Sequence, residues 1–453
     1  MLTPDHAKRI VRLATLIFGM LLAAASALGQ DLSAATSKSS SRFIDAVNGT
    51  TVEQAVARAL KDNPELNAVR TDVEAGEALL RQAGSRPNPT LDVRGTKQFG
   101  GSDGSFMIEG GLPLELGGRR AARVAVAGKE LEIRRLAAAD RELQLAAEVR
   151  NKFGEVLAAV MKLQFAEKTL TLAKTNFDLV SAQVTEGRRP PLEQNMEIVE
   201  LNRIRAMLEG AEAAAELRLL ELKNLLGMDP KQPFMIRGDL GQMLDPIPPE
   251  NTASERAIET RPDVAATRAM EELAAARSGQ ARAEGRIDGE LMLGYQRMRS
   301  SFPLMDINSQ TGALTTMNEN MNFLTFGIKL MLPLRDRKEG MIAAAKLDEK
   351  AAHSRTEFSE LTARREIAAS YIRYERARRA FEIYRVGVRD QAAANLDVVR
   401  QTYEFGSKTL LDYIAEQRRF IETENGYIDA LLEVFLARTE ILKATNSAEL
   451  TNK

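Results

Sequence analysis

The sequence lacks cysteine and tryptophan altogether and has only two histidines among its 453 residues. Without cysteine it has no disulfide framework, no thiolate metal site and no cysteine nucleophile. Beyond the N-terminus it also lacks any apolar run of the ~20 residues that a membrane-spanning helix needs, which excludes a multi-helix transporter. The formal net charge is −1, without the basic excess that is typical of nucleic-acid binders. These absences leave a helix-rich soluble protein, or one that enters a membrane without helices.

Catalytic motifs are missing as well. The sequence has no nucleotide-binding glycine loop, no histidine pair at metal-binding spacing and no serine nucleophile motif with a histidine nearby. His353 stands alone in a charged helical stretch from Lys346 to Glu360, where it is predicted to be a surface residue. We therefore predict that the protein is not an enzyme and binds no cofactor or resident metal.

The N-terminus has the pattern of a secretory signal peptide over residues 1–29. Basic residues up to Arg12 precede an apolar core from Leu13 to Ala25, and a small-x-small cleavage site ends at Gly29. A single N-terminal membrane anchor is the alternative. Residues 30–50 are rich in serine and alanine and are predicted to form a flexible leader.

One supersecondary unit occurs twice, in residues 51–226 and 252–446, with a proline-rich linker at 227–251 and a short tail at 447–453. In each repeat a helical stretch leads to two alternating segments, then to a very long helical stretch, a glycine and a second helix. The two glycines, Gly187 and Gly406, are 219 residues apart. The long stretch of the first repeat covers about residues 119–186, which corresponds to a rod of ~100 Å.

The long helical stretches carry a coiled-coil pattern. In the first one, apolar residues are spaced alternately by four and three residues from Val149 to Leu163. In the second one, matching apolar residues from Ile367 to Val388 lie 218 residues later. This 3.5-residue period predicts one buried seam per helix and a supercoiled pair of rods in each repeat.

Apolar and polar residues alternate in four short segments, which is the pattern of strands with two different faces. In the first segment Leu91 and Val93 alternate with Asp92 and Arg94. The second repeat has the same hairpin with a longer loop, predicted at about residues 300–322. Such strands suit a transmembrane β-barrel with a wet interior, although two hairpins packed on a soluble core are the alternative. The side chains predicted to face the barrel lumen are Asp92, Arg94, Glu109 and Lys329.

Four strands are too few to close a barrel, since small barrels have about eight. Open strand edges are not tolerated in lipid, so several copies would have to pool their strands, usually with cyclic symmetry. Three copies would supply twelve strands. The predicted fold class is therefore mainly α with a small β part: a long α-helical coiled-coil barrel plus a transmembrane β-barrel, with four strands per chain and twelve in a trimer.

Over residues 50–446 the chain resembles the TolC-like outer-membrane efflux proteins. The resemblance is carried by the doubled unit, the signal peptide and three local motifs. These motifs are Thr51–Val56 leading to Asn63–Leu66, Leu112–Arg120, and Gly406–Tyr413.

The resemblance implies a homotrimer in the lipid of the cell outer membrane, with most of the chain extending into the periplasm as a tunnel. It also implies docking on a periplasmic adaptor and an inner-membrane pump, and no nucleic-acid partner. The segment Leu114–Arg120 is similar to the heavy-metal branch of the family, which favours cation efflux. An exported periplasmic coiled-coil structural or adaptor protein is the alternative function.

The resemblance also assigns roles at the two helix tips. Gly187 and Gly406 would form the turns, and Leu192, Leu410 and Leu411 would join them in contacting the adaptor. The entrance constriction would contain the carboxylates of Glu193, Asp412 and Glu416, with Lys408 and Tyr403 as gate partners. Rings of carboxylates favour cations. The alternative is that these charged residues only cap helices or face solvent. The first tip departs from the family pattern because it reads Arg188-Arg189-Pro190-Pro191.

Overall fold

The computed structural model describes residues 39–244, 247, 249–307 and 310–451. The predicted signal peptide lies outside these residues. Among the described residues, no helix is both long and apolar enough to be a candidate for crossing a membrane.

The two halves of the chain contain the same elements in the same order. The first half consists of α1 (Val52–Asp62), α2 (Pro64–Gly84), β1 (Thr90–Lys97), β2 (Gly104–Pro113), α3 (Arg119–Thr185) and α4 (Pro191–Leu225). The second half consists of α5 (Glu250–Thr260), α6 (Pro262–Glu284), β3 (Asp288–Ile307), β4 (Leu314–Met331), α7 (Glu339–Glu382), a π-turn (Ile383–Val388), α8 (Arg389–Glu404), α9 (Leu410–Ala444) and α10 (Ala448–Thr451).

Local sequence explains where the first helices begin and end. Thr51 caps α1 in a capping box with Gln54, in which each side chain bonds the other residue's backbone N–H. Asn63 ends α1 and caps α2 by accepting a hydrogen bond from the Leu66 N–H at 3.0 Å. Pro64 follows at the first helical position, where its missing N–H costs nothing. The single helical stretch predicted for this region is therefore two helices.

The long helices form the rods. α2 and α4 pack on α3, and α6 and α9 lie between α3 and α7. The seam predicted from the sequence forms the centre of the core, because Val149, Phe153, Val156, Val160 and Leu163 are each 0% exposed. The long helices and the four-stranded sheet confirm the prediction of a mainly α fold with a small β part and four strands per chain.

The second long rod contains an extra residue that the first lacks. Toward the sheet, positions correspond at an offset of 218, as in Val149 and Ile367; toward the tip they correspond at 219, as in Val184 and Tyr403. The change of offset coincides with the π-turn at Ile383–Val388. A π-turn absorbs one inserted residue within a helix, so it keeps the seam in phase on both sides of the insertion.

The four strands form one antiparallel sheet in the order β1-β2-β3-β4. One row of directly paired residues across the sheet is Val93, Ile108, Tyr295 and Leu324. The next row is Asp92, Glu109, Gly294 and Thr325. Paired residues share a face, so one face of the sheet is largely apolar and the other is polar. Within the described chain, β1 and β4 form the two edges of the sheet.

The long loop predicted at residues 300–322 is wrong for most of its length. β3 continues to Ile307 and β4 begins at Leu314. Their pairing runs on through Ser300 and Glu319 and past an irregularity between Phe302 and Met305. Backbone pairing therefore extends the hairpin into a region whose serine, threonine and asparagine residues hide the alternating pattern.

The flexible leader predicted at residues 30–50 is wrong for its described part, residues 39–50. Ser40 donates its backbone N–H and its hydroxyl to the Glu167 carboxylate at 2.9 and 2.7 Å. Phe43 is buried in the core, and Ile44 and Thr50 pair with Ile236 in parallel bridges. These few anchoring residues outweigh the polar composition of the segment.

Candidate functional site

The two helix tips have the same backbone turn. At the first, the Gly187 N–H bonds the Val184 carbonyl at 2.9 Å and the Arg188 N–H bonds the Gln183 carbonyl at 2.9 Å. At the second, Gly406 and Ser407 make the equivalent bonds to Tyr403 and Thr402, both at 2.9 Å. The two glycines have φ of 73° and 75°, a region that strongly favours glycine in this type of helix ending.

The second tip has a strong helix start. Thr409 caps α9 in a capping box with Asp412, whose carboxylate accepts the Thr409 N–H at 3.0 Å and its hydroxyl at 2.8 Å. These hydrogen bonds lower the pKa of Asp412, so the exposed carboxylate is charged. Asp412 therefore caps the helix, and the same carboxylate is a fixed negative charge at the tip.

At the first tip, Glu193 joins the two halves of the chain. Its Oε2 accepts a hydrogen bond from Arg189 Nη1 at 2.7 Å and another from the Tyr403 hydroxyl at 3.0 Å. The Arg189 guanidinium lies over the Tyr403 ring, 4.2 Å from its centroid. Burial, followed by the bond to Glu193, raises the pKa of Tyr403. The structure thus brings together the predicted Glu193 and Tyr403. It adds Arg189, which from the sequence is only a departure from the family pattern at the first tip.

Tyr403 also belongs to a small apolar cluster beside its contact with Arg189 and Glu193. The rings of Tyr403 and Tyr413 stack with centroids 5.8 Å apart, and Asn176 Nδ2 donates to the Tyr413 hydroxyl at 2.7 Å. Leu410 belongs to the same cluster and is only 3% exposed. The assignment of Leu410 to the exposed adaptor-contact surface is therefore wrong, because the first turn of α9 directs this side chain into the cluster.

Leu192, Leu411 and Lys408 remain exposed at the tips, whereas Glu416 is half-buried. Leu192 and Leu411 are 66% and 65% exposed, at equal distances in sequence from their turn glycines. Lys408 is exposed next to Thr409, and it contributes to the lowered pKa of Asp412. Glu416 lies one turn further along α9, where Arg419 Nη1 donates to it at 3.2 Å.

Two further carboxylates, which are not among the predicted site residues, follow Glu193 on α4. Glu197 is 4% and Glu200 is 2% exposed. Burial, together with Glu200 and Glu193 nearby, raises the pKa of Glu197 to about 7. Burial also acts to raise the pKa of Glu200, but hydrogen bonds from Arg203 and Arg418 outweigh it and hold that pKa below its usual value. The spacing 193, 197, 200 follows one face of a helix and could have revealed this set.

The four predicted lumen residues lie on the polar face of the sheet. Asp92 pairs directly with Glu109, and Arg94 bonds the Asp92 carboxylate with Nε at 2.9 Å and Nη2 at 2.7 Å. Lys329 Nζ lies 3.7 Å from Glu290 Oε2 on the neighbouring strand. The polar face therefore carries charges of both signs.

The Gly-Gly-Arg-Arg motif forms the junction between the sheet and the rods. Gly117 and Gly118 have φ of 75° and 84°, which lets the chain turn sharply from β2 into α3. Arg119 then donates to the Glu284 carbonyl at 2.9 Å, and Arg120 donates to the Gly84 carbonyl at 2.6 Å. These arginines satisfy carbonyl groups at the ends of α6 and α2, so the motif has a clear structural role.

Comparison with known proteins identifies the family. The profile of the outer membrane efflux protein family matches residues 55–228 and 253–447. The chain belongs to this family. The match decides against the alternative of an adaptor or a purely structural coiled coil, and it places this efflux protein in the outer membrane.

Individual relatives of this efflux protein cover nearly the whole chain. It is 25% identical over 401 residues to the cobalt-zinc-cadmium resistance protein CzcC of Cupriavidus metallidurans, covering 88% of this chain and 90% of the relative. A membrane protein of Pseudomonas aeruginosa has a similar fold, with a TM-score of 0.72 at 22% identity over 89% of this chain and 93% of the other. The MtrE outer membrane channel of Neisseria gonorrhoeae has a TM-score of 0.70 at 17% identity, over 87% and 88% of the two chains.

Proposed function

We propose that this outer membrane efflux protein forms a homotrimer, in which three sheets close a twelve-stranded barrel and the rods form a periplasmic tunnel. The observation that carries this proposal is the open four-stranded sheet with one apolar and one polar face. Its edge strands would leave backbone N–H and C=O groups unpaired in lipid, where each such group costs several kcal/mol. Pairing β4 of one copy with β1 of the next removes every edge.

In this trimer the apolar face of the sheet contacts lipid and the polar face lines the lumen. Asp92, Arg94, Glu109 and Lys329 then project into the water-filled pore. Paired charges of both signs are compatible with a wet interior and costly against hydrocarbon.

The opposite end of the tunnel docks on a periplasmic adaptor and an inner-membrane pump. Leu192 and Leu411 support this proposal, because they are exposed at equivalent positions of the two tips. Gly187 and Gly406 keep both turns tight, so that these leucines lie close to the ends of the helix pairs. With Leu410 buried, the contact surface comes to two exposed leucines per chain.

The cargo is a divalent heavy-metal cation. The similarity to a cobalt-zinc-cadmium resistance protein along 88% of the chain supports this substrate class. Carboxylates at the entrance favour cations electrostatically, and Asp412 is the exposed, charged member of the predicted set. Glu193 is already neutralised by Arg189, so its contribution to an entrance field is smaller.

Deletion of the gene tests the function. The deletion strain should lose tolerance to Co²⁺, Zn²⁺ and Cd²⁺, and the wild-type gene should restore it, while tolerance to dyes and detergents is measured in parallel. Unchanged metal tolerance with a loss of dye or detergent tolerance would contradict the metal substrate but leave the efflux function standing.

Sedimentation of the detergent-extracted protein should give the mass of three chains, and a monomer would contradict the channel.

A further inference from the structure

Three basic residues lie together at the end of the sheet that is farthest from the rods. β2 leads into α3 and β4 leads into α7, so the turns that follow β1 and β3 mark the opposite end. Lys97 is the last residue of β1, and it lies level with Arg299 of β3, because Gly104 pairs with both. Arg297 precedes Arg299 by two residues. All three basic side chains are exposed, and we call them the basic cluster.

The basic cluster belongs to the apolar face of the sheet. Residues two positions apart in a strand share a face, so Lys97 is on the same face as Val93, and Arg297 and Arg299 are on the same face as Tyr295. Val93 and Tyr295 both belong to the apolar row described above. This face therefore changes from apolar to basic along the strands.

Successive rows of directly paired residues show where the change occurs. Counted outward from the rods, three apolar rows are followed by one mixed row and one basic row: Leu112, Leu291 and Ile328; Leu91, Gly110, Leu293 and Phe326; Val93, Ile108, Tyr295 and Leu324; Gly95, Phe106, Arg297 and Asn322; Lys97, Gly104, Arg299 and Asn320. The apolar character therefore ends at the same level across the whole sheet.

The height of this level matches the thickness of a membrane. On β3 the apolar face begins at Gly289, which pairs with Leu330, and Arg299 follows ten residues later. Ten residues correspond to ~34 Å along a strand, or to ~26 Å along the axis of a barrel whose strands tilt by ~40°. The apolar band of such barrels is ~25 Å tall. In the proposed barrel the basic cluster therefore lies at the level of the outer headgroups.

The charges of the basic cluster are not neutralised by the sheet. In the part of the chain that the structure describes, none of the three cations forms an ion pair with a carboxylate. The basic residues of the polar face differ, because Arg94 bonds Asp92 at 2.7 Å and Lys329 lies 3.7 Å from Glu290. The side of the sheet that faces away from the lumen thus presents positive charge to an external anion.

The backbone around the basic cluster is fixed and leaves room between the charges. Gly104 lies between Lys97 and Arg299, so no side chain fills the ~10 Å between β1 and β3 at this level. In the turn between β1 and β2, Asp103 Oδ1 accepts the Ser301 N–H at 2.7 Å. This bond ties the turn to β3 and holds the cations of the two strands at one height.

We infer that Lys97, Arg297 and Arg299 bind the headgroup phosphates of an anionic lipid in the outer leaflet of the outer membrane. This inference rests on the trimer proposed above, which places the apolar rows in hydrocarbon and the basic cluster at the headgroups. Guanidinium groups bind phosphate oxygens through two parallel hydrogen bonds. The acyl chains of the same lipid lie against the apolar rows, so one molecule matches both the charge and the polarity of this face. Cyclic symmetry repeats the site three times.

Lipid retention by the detergent-extracted protein tests the site. The probe is lipid A with two phosphates, added in detergent micelles, and the comparison is the same lipid A without phosphates. After gel filtration the wild type should retain the phosphorylated form. Arg297→Gln/Arg299→Gln should retain several-fold less of it, and the wild type should retain the dephosphorylated form only at that lower level.

The matched control is Gln296→Glu/Met298→Glu. It changes the formal charge of the chain by the same two units as the arginine variant, but on the polar face of the same strand. Its retention of phosphorylated lipid A should equal that of the wild type. A loss of retention in this control instead of the arginine variant would overturn the assignment to the lipid-facing side.

The oligomeric state, measured by sedimentation of the same samples, separates this inference from the proposed function. Trimers that retain lipid A equally in the wild type and in the arginine variant would overturn the phosphate site and leave the trimer standing. Displacement of lipid A by inorganic phosphate at equal concentration would likewise overturn the lipid as the ligand. A monomeric wild type would contradict the proposed function itself.

Discussion

At the residue scale, Asp412 has two separable roles. It caps α9 through Thr409, and it places a negative charge at the tip. We predict that Asp412→Asn weakens block of single channels by divalent cations several-fold in a planar lipid bilayer, since three carboxylates disappear from the proposed entrance.

The control for this prediction is Thr409→Ala. It removes the capping hydroxyl, which costs helices typically ~1 kcal/mol, but it keeps the Asp412 charge. Its cation block should match that of the wild type. Equal block in Asp412→Asn and in the wild type would remove Asp412 from the entrance.

Glu197 gives the tip a specific pH dependence. Its pKa is raised from 4.5 to about 7, so between these values the folded chain keeps a proton that the unfolded chain has lost. The contribution of Glu197 to stability therefore falls as pH rises through this window. We predict that Glu197→Gln raises the apparent Tm at pH 8 and flattens its decline between pH 4.5 and 7.

Glu200 is the opposite case within the same helix. Because its pKa is held low by Arg203 and Arg418, its charged form stabilises the fold, and this stability is lost as pH falls through the lowered pKa. Glu200→Gln should lower the apparent Tm at pH 8. A higher Tm in both Glu197→Gln and Glu200→Gln would mean that the cost of burying these charged carboxylates outweighs the hydrogen bonds from Arg203 and Arg418.

At the element scale, the π-turn maintains the phase between the rods. Inserting one alanine between Ala393 and Ala394 should rotate the tip end of α8 by about 100° relative to α7, because the π-turn already absorbs the one extra residue of this rod. Tyr403 would then leave its place beside Arg189 and Glu193. We predict faster tryptic cleavage after Lys408 at the loosened tip, measured on the detergent-extracted protein.

Gly387→Ala is the matched control, because nothing lies within 4 Å of a Cβ built at this position. It keeps the residue count, so cleavage after Lys408 should stay at the wild-type rate. Equal rates in the insertion variant and in the wild type would show that the phase of α8 has no role in positioning the tip.

How far the sequence predicts these elements depends on the range of the interaction. The burial of the seam from Val149 to Leu163 follows from periodicity alone, because its apolar residues recur every three or four positions in the sequence. The bond from Tyr403 to Glu193 joins residues 210 positions apart, and only the packing of the two repeats brings them together. The ion pair between Arg189 and Glu193 is predictable from the sequence, because the two residues have the four-residue spacing of a helical ion pair.

At the scale of the whole molecule, the two faces of the sheet determine how it meets the membrane. Leu324 and Thr325 are neighbours on β4 but lie on opposite faces. We predict that Leu324→Arg sharply lowers the amount of protein in the outer membrane, since a basic residue facing lipid near the bilayer centre costs about 2–4 kcal/mol.

Thr325→Arg provides the comparison, because it places the same charge on the proposed lumen side. It should leave the membrane level of the protein unchanged. The reverse result, with Thr325→Arg depleted and Leu324→Arg tolerated, would mean that the barrel closes with its faces the other way round.

The near-equal length of the two descending rods limits how the reach of the tunnel can change. α3 has 67 residues, and α7, the π-turn and α8 have 44, 6 and 16 residues. Inserting one heptad into a single helix would lengthen it by ~10 Å and set the two tips at unequal depths. A homologue that serves a wider periplasm therefore has to gain matching segments in both repeats, on the descending and the returning helices alike. Length differences between such proteins should occur as coordinated sets of four insertions.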